Sequence, residues 1–173
     1  ALANPNISFK LIIDDKVKFF SNGNGNLLDA IYLIYGKEIE ENLLEVNYNY
    51  ENIKITGVIG NPFLTRDNRK DQIIFLNRRN IKNNMLSNSA DQAFQGAVGI
   101  RKYGFFILNI EMPANYYDVN VHPTKMEVRF KEEEKIYKAV YHSIKDAILK
   151  AEFLGNKEIS SDNKDYIENE YEF

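Results

Sequence analysis

Two alternating runs separated by only two residues fix the centre of this chain. Leu44, Val46, Tyr48 and Tyr50 alternate with polar side chains, Glu51-Asn52 intervenes, and Ile53, Ile55, Gly57 and Ile59 alternate again. A period of two places every second side chain on one side of an extended strand, and a two-residue connector leaves room only for a tight β-hairpin. An apolar face on both arms must be covered by another layer, so the chain needs helices or a second sheet against it.

The flanking sequence supplies those layers. Ile7, Phe9, Leu11 and Ile13 alternate, Asp14-Asp15-Lys16 turns the chain, and Val17 and Phe19 alternate back, which predicts an N-terminal hairpin. Ser21 to Asn26 is a loop by composition. Leu27, Leu28, Ile31, Ile34 and Tyr35 repeat at helical spacing, and Gly36 suits the helix end. Asn61-Pro62 closes the central hairpin, and the charged, unpatterned stretch from Thr65 to Asp71 reads as an exposed loop. Ile73 to Leu76 and Phe105 to Met112 are apolar runs typical of buried strands. Met85, Ala90, Ala93, Phe94 and Ala97 mark a second helix, and Ile136, Val140, Ile144 and Ala147/Ile148 a last one from about Glu132 to Phe153. The expected fold is α/β (α+β): a mixed β-sheet covered on one face by helices. Beyond Gly155 the chain turns polar and acidic. Residues 1–155 are therefore expected to form the domain, and 156–173 a disordered linker.

Charge is unevenly spread. The 173 residues carry a net −3 and contain no cysteine, which excludes disulfides, cysteine-held zinc and thiol nucleophiles. No apolar run reaches membrane-spanning length. Between Arg66 and Lys102, eight basic residues face three acidic ones, a local +5 that leaves −8 elsewhere. A basic middle makes net charge a poor guide to partners.

Two stretches carry chemistry. In Gln72–Lys82 an apolar strand emerges into a turn bearing Arg78, Arg79 and Lys82. Such clustered cations suit nucleic-acid phosphates or simply a solvated turn, and charge alone does not separate the two. In Asp118–Phe130, alternating residues around Val119/Val121 and Val128/Phe130 flank His122-Pro123-Thr124-Lys125. Pro123 must leave the ladder, so Lys125 is presented on a stiff loop, as a phosphate-seeking cation or as an ordinary surface lysine. Neither a glycine-rich phosphate loop nor a nucleophile elbow occurs. His122 suits a structural place in the turn, and His142 a surface or groove position on the last helix. Glu132 to Glu134 suit a helix N-terminus.

The Asp118–Phe130 block closely resembles the signature of the MutL family of DNA mismatch-repair proteins. Ile7-Ser8-Phe9-Lys10-Leu11, Ile34-Tyr35-Gly36-Lys37, Ile55 to Pro62, Phe75-Leu76-Asn77-Arg78-Arg79 and Ala93-Phe94 extend the resemblance over nearly the whole chain up to the last helix. It departs at Arg78, where the family usually has Gly, and at Thr124, where Ala is common. The resemblance implies the transducer-like second domain of the N-terminal half. That fold is the ribosomal-protein-type second domain of GHKL ATPases, with a left-handed βαβ crossover. It implies that Lys125 reaches the ATP γ-phosphate in the neighbouring ATPase domain and assists hydrolysis there. It also implies that Arg79 binds DNA, with Arg78 and Lys82 extending the patch on charge alone. By itself such a chain is not an enzyme and holds no cofactor. ATP and magnesium belong to the full-length protein, a cytoplasmic, nucleoid-associated bacterial homodimer. Implied partners are double- or single-stranded DNA, a MutS-like mismatch-recognition protein and the protein's own ATPase domain. The alternative is a protein-interaction platform without direct DNA contact.

Overall fold

The computed structural model describes residues 1–119 and 127–168. The chain opens with an antiparallel ribbon, β1 (Phe9–Ile13) and β2 (Lys16–Ser21), turned at Asp14 and Asp15, whose φ angles are 50° and 57°. Short polar side chains tolerate that left-handed conformation best after glycine. Helix α1 (Leu27–Tyr35) follows; Asn26 caps it by accepting from the Leu28 N–H at 3.0 Å. Gly36, at φ 91°, ends it and donates to the Tyr32 carbonyl. A single further turn, α2 (Lys37–Glu40), leads into β3 (Leu43–Tyr50) and β4 (Ile53–Gly60), paired around Glu51-Asn52 as the alternation predicts.

The remaining elements are β5 (Thr65–Arg66), β6 (Gln72–Leu76), β7 (Arg79–Ile81), α3 (Asn84–Phe94), β8 (Tyr103–Gly104), β9 (Phe106–Glu111), β10 (Tyr117–Val119), β11 (Val128–Phe130) and α4 (Glu133–Glu168). Five strands form the main sheet in the order β3-β4-β9-β6-β7. β6 and β9 run parallel and every other neighbouring pair antiparallel, so the sheet is mixed, as expected. The parallel pair is joined by a crossover through α3, because a hairpin turn cannot connect parallel strands.

Helices α3 and α4 cover one face. Ile55, Ile59, Leu76, Leu108 and Ile110 of the sheet pack there with Leu86, Phe94, Ile136, Val140 and Ile144 of the helices. Ala90, Ala93 and Ala139 are fully buried, which lets the two helices approach closely, and the Ser89 hydroxyl donates to the Tyr137 carbonyl at 2.7 Å. A second, smaller core lies on part of the opposite face. There Val58, Phe75, Phe105 and Ile107 meet Ile31 of α1, and Tyr35 stands edge-on to Phe105.

Two local expectations change. The stretch from Thr65 to Asp71 is not wholly open loop: β5 pairs with β8, and Arg66 binds Asp71 at 2.6 Å with both side chains half-buried. The backbone found a strand partner that lies 37 to 39 residues later in the chain, outside the reach of any local pattern. Helix α4 runs to Glu168 instead of ending near Phe153. The apolar stripe does stop there, with Ile148 buried and Leu149, Phe153 and Leu154 exposed. The i→i−4 ladder closes within the helix itself and needs no packing partner, and Glu and Lys favour it.

Candidate nucleic-acid interface

The basic turn is built at the edge of the main sheet. β6 is buried through Ile74, Phe75 and Leu76, and pairs with the edge strand β7 at Leu76↔Arg79. That pairing leaves Asn77 and Arg78 as a two-residue turn, with φ 46° and 68°. Both values match the tight hairpin turn whose twist suits its strands. Arg78 therefore occupies a left-handed position, the conformation a glycine adopts most easily. A side chain with a Cβ in that conformation carries strain of roughly 1–2 kcal/mol.

Asn77 fixes this turn to the rest of the molecule. Its backbone N–H donates to the Ile110 carbonyl at 2.8 Å. Its side-chain amide donates to the Met112 carbonyl at 2.9 Å and to the Tyr117 hydroxyl at 2.7 Å, and its Oδ1 accepts from the Met112 N–H at 3.1 Å. The turn is thus clamped to the exit of β9 and to β10. The sequence motif places Asn77 in the turn without naming its partners. The signal was there, since Asn at the start of a two-residue gap between strands marks this turn. Its partners lie 33 to 40 residues away and left no local trace.

Of the three predicted DNA-contacting cations, Arg78 and Arg79 lie on this hairpin and Lys82 directly follows it. Arg78, Arg79 and Lys82 are exposed. Among the described residues the Arg78 guanidinium makes only long contacts, to Asn4 Oδ1 at 3.4 Å and Asn6 Oδ1 at 3.5 Å. Lys82 is the first residue past β7, roughly 10 Å from Arg79 by strand rise. Among the described residues none of the three lies within ion-pair distance of a carboxylate.

Elsewhere in the basic segment three cations are neutralised, while Lys70 and Arg101 have no carboxylate partner among the described residues. Arg66 binds Asp71, Arg69 binds Asp91 at 2.6 Å, and Lys102 binds Asp67. The Lys102 hydrogen bond and charge hold the Asp67 carboxyl below its usual range. Each of the three acids of this segment is taken, so its uncompensated cations are Lys70, Arg78, Arg79, Lys82 and Arg101.

Lys125 and His122 lie outside the described residues. The strands on either side of that stretch are well anchored. β10 and β11 pair from Tyr117↔Phe130 to Val119↔Val128, and Val128 and Phe130 are buried in the main core. The Asn83 side chain caps α3 and also donates to the Val128 carbonyl at 3.2 Å. Through Asn77 and Tyr117, the basic turn and this ribbon share one hydrogen-bonded frame. His142 is an exposed helix residue standing edge-on to Tyr141, a surface role as expected.

A family model described as "DNA mismatch repair protein, C-terminal domain" matches residues 31–149. The "DNA mismatch repair protein MutL" of Clostridium beijerinckii (strain ATCC 51743 / NCIMB 8052) is 42% identical over 148 residues, covering 86% of this chain and 22% of that protein. The protein of the same name from Clostridium botulinum (strain Eklund 17B / Type B) is 44% identical over 153 residues, covering 86% and 23%. The chain therefore spans about a fifth of the length of the curated relatives it matches. A solved structure titled "Crystal Structure of N terminal domain of a DNA repair protein" superimposes with a TM-score of 0.72 at 20% identity, over 88% of this chain and 51% of that one, which shows a shared fold.

Proposed function

The chain belongs to the MutL family of DNA mismatch-repair proteins, and from that membership we propose that it serves mismatch repair as the middle domain of a longer protein. In this reading its basic turn holds DNA and Lys125 completes a neighbouring ATPase site. The observation that carries the DNA part is the pattern of ion pairing. In residues 66–102 every carboxylate already has a cation, and among the described residues Arg78, Arg79 and Lys82, like Lys70 and Arg101, have no carboxylate partner; the first three lie on or beside one clamped hairpin. Free cations can neutralise phosphates and release counterions without first breaking an ion pair. The strained backbone of Arg78 fits the same reading, since such strain collects at functional positions.

The ATPase part rests on the match at Lys125. Charge builds on the phosphoryl oxygens in the transition state, and a positioned cation stabilises it. The same contact would report whether ATP or ADP is present. ATP and magnesium are assigned here to the ATPase domain of the longer protein, with Lys125 as this chain's one contribution. Anchoring of β10 and β11 suits the delivery of a side chain from between them. A MutS-like partner and homodimerisation belong to the longer protein in the same way, and residues 156–173 to its interdomain linker.

Salt-dependent DNA binding tests the first part. In the protein containing its ATPase domain, Arg79→Glu, alone or with Lys82→Glu, should weaken binding equally across sequences and flatten the dependence of affinity on salt. An unaltered affinity and salt slope would favour the protein-interaction platform instead. For the second part, Lys125→Ala should slow ATP hydrolysis by the full-length protein roughly 10- to 1000-fold while the thermal melt is unchanged. Unchanged turnover would make Lys125 a surface lysine.

A further inference from the structure

The two edges of the main sheet are built differently. β7 is three residues long, opens with Arg79 and is followed by Lys82. Shortness and positive charge are the usual guards of an edge strand. β3 has neither. It runs for eight residues, Leu43–Tyr50, without lysine, arginine or proline, and stays in register with β4 through eight successive pairs without a bulge. Its one neighbour in the sheet is β4, so every second residue turns its backbone N–H and C=O outward. Among the described residues, no backbone group outside β4 bonds to them. Both faces beside this edge offer a seat. On the helix side, Leu44 and Tyr50 pack against the main core yet stay half-buried. On the other side a cleft of about 730 Å³ opens, lined by Leu2, Ala3, Leu27, Leu28, Leu43 and Val58. Glu40 and Glu45 also line it, while Arg78 lies across the sheet, three strand spacings or roughly 14 Å from β3. The charge along this edge is one-sided. Residues 38–51 hold five glutamates and no basic residue. Glu41 is paired with Lys37 and Glu51 with Lys135. Among the described residues, Glu38, Glu40 and Glu45 have no cation within ion-pair distance.

We infer that β3 is the docking edge for an extended basic peptide segment of a partner protein. The segment adds to the five-stranded sheet as a sixth strand. It sets an apolar side chain into the cleft and a Lys or Arg against Glu40 and Glu45. Backbone hydrogen bonds to the edge supply affinity, and the side chains that alternate into the cleft supply specificity. Charge selects this occupant. A second copy of β3 would bring glutamates together with no base on either strand to offset them, and like charges across a strand pair are destabilising. Nucleic-acid phosphates would meet the same uncompensated acids. A basic strand meets them with the opposite sign, and its aliphatic side chains match the apolar lining of the cleft. The inference goes beyond the proposed function and depends neither on Lys125 nor on DNA binding, since the basic turn joins β6 to β7 at the opposite edge of the sheet.

The probe is a fluorescein-labelled heptapeptide, Val-Lys-Val-Leu-Val-Lys-Val, whose Lys, Leu and Lys fall on one side of a strand. Fluorescence anisotropy on this 173-residue chain should show saturable binding, at least about 10-fold weaker when Glu replaces both Lys. Two further peptides carry N-methyl groups on one or the other alternate set of residues. One set should lose at least about 10-fold and the other be tolerated, because only alternate N–H groups face the edge. The double variant Glu40→Lys/Glu45→Lys should keep the thermal midpoint within about 2 °C, since neither side chain belongs to a core, and should reverse the preference between the Lys and Glu peptides. Hydrogen exchange should slow at the β3 amides on binding, in this chain and in the full-length protein alike. Equal affinity for the Lys and Glu peptides, indifference to both methylation patterns, or protection elsewhere than β3 would overturn the inference. So would a concentration-dependent dimer of the chain that the double variant dissolves, because the occupant would then be a second copy. Protection of β3 that is lost in the full-length protein would overturn it as well, since the edge would then be filled from within the same polypeptide.

Discussion

Replacing Asn77 by alanine should destabilise the domain by about 3 kcal/mol, although the residue is exposed. The side chain makes three hydrogen bonds, to the Met112 carbonyl, the Met112 N–H and the Tyr117 hydroxyl. At an exposed site each contributes about 0.5–1 kcal/mol, or about 2 kcal/mol together. At φ 46° an alanine also pays about 1 kcal/mol of left-handed strain that asparagine largely avoids. For a chain of this size a change of about 3 kcal/mol lowers the thermal midpoint by about 6–12 °C. Urea denaturation followed by circular dichroism reads it directly, as a lower midpoint with an unchanged slope. Two companions separate the contributions. Asn77→Gly removes the hydrogen bonds without the strain, and Tyr117→Phe removes one hydrogen bond for about 1 kcal/mol. DNA affinity of the longer protein should also fall in Asn77→Ala, although no charge is lost, because Arg78 and Arg79 depend on this clamp. A loss below about 1 kcal/mol for Asn77→Ala would refute the clamp.

Gly57→Ala should cost at least about 3 kcal/mol and reduce soluble yield: Gly57 sits at φ 132° in the interior strand β4, and an added Cβ would overlap the Ile107 carbonyl oxygen. The measurement is a denaturation midpoint, and a wild-type value would mean that β4 and β9 can separate. Tyr35 gives a pH signature. Burial, then the nearby Asp71 charge, push its phenol above the ordinary value of 10.0. The folded state thus favours the protonated form. Stability is fully present below the ordinary tyrosine value and falls as pH rises through the higher, folded one. Ultraviolet difference titration should show a tyrosine lagging the others, and the lag should vanish in Tyr35→Phe.

Much of this molecule was written locally. Alternation at 44–50 and 53–59 produced β3 and β4, because a half-buried strand must alternate. The stripe through Ile136, Val140 and Ile144 produced the packed part of α4, because one helix face had to meet the sheet. The basic turn, too, was visible as a strand running into Arg78 and Arg79, and the family was legible in the motifs. What folding decided were the quantities that depend on distance through space. Composition gave residues 66–102 a charge of +5, but only the tertiary structure showed which cations were spent on Asp67, Asp71 and Asp91 and which stayed free. The pairing of β5 with β8, and the reach of Asn77 to Met112 and Tyr117, join residues that no periodicity connects. The first hairpin makes the contrast sharpest. Its strands were predicted from alternation alone, yet alternation says only that a face wants cover, and whether cover exists depends on what the rest of the chain brings to it.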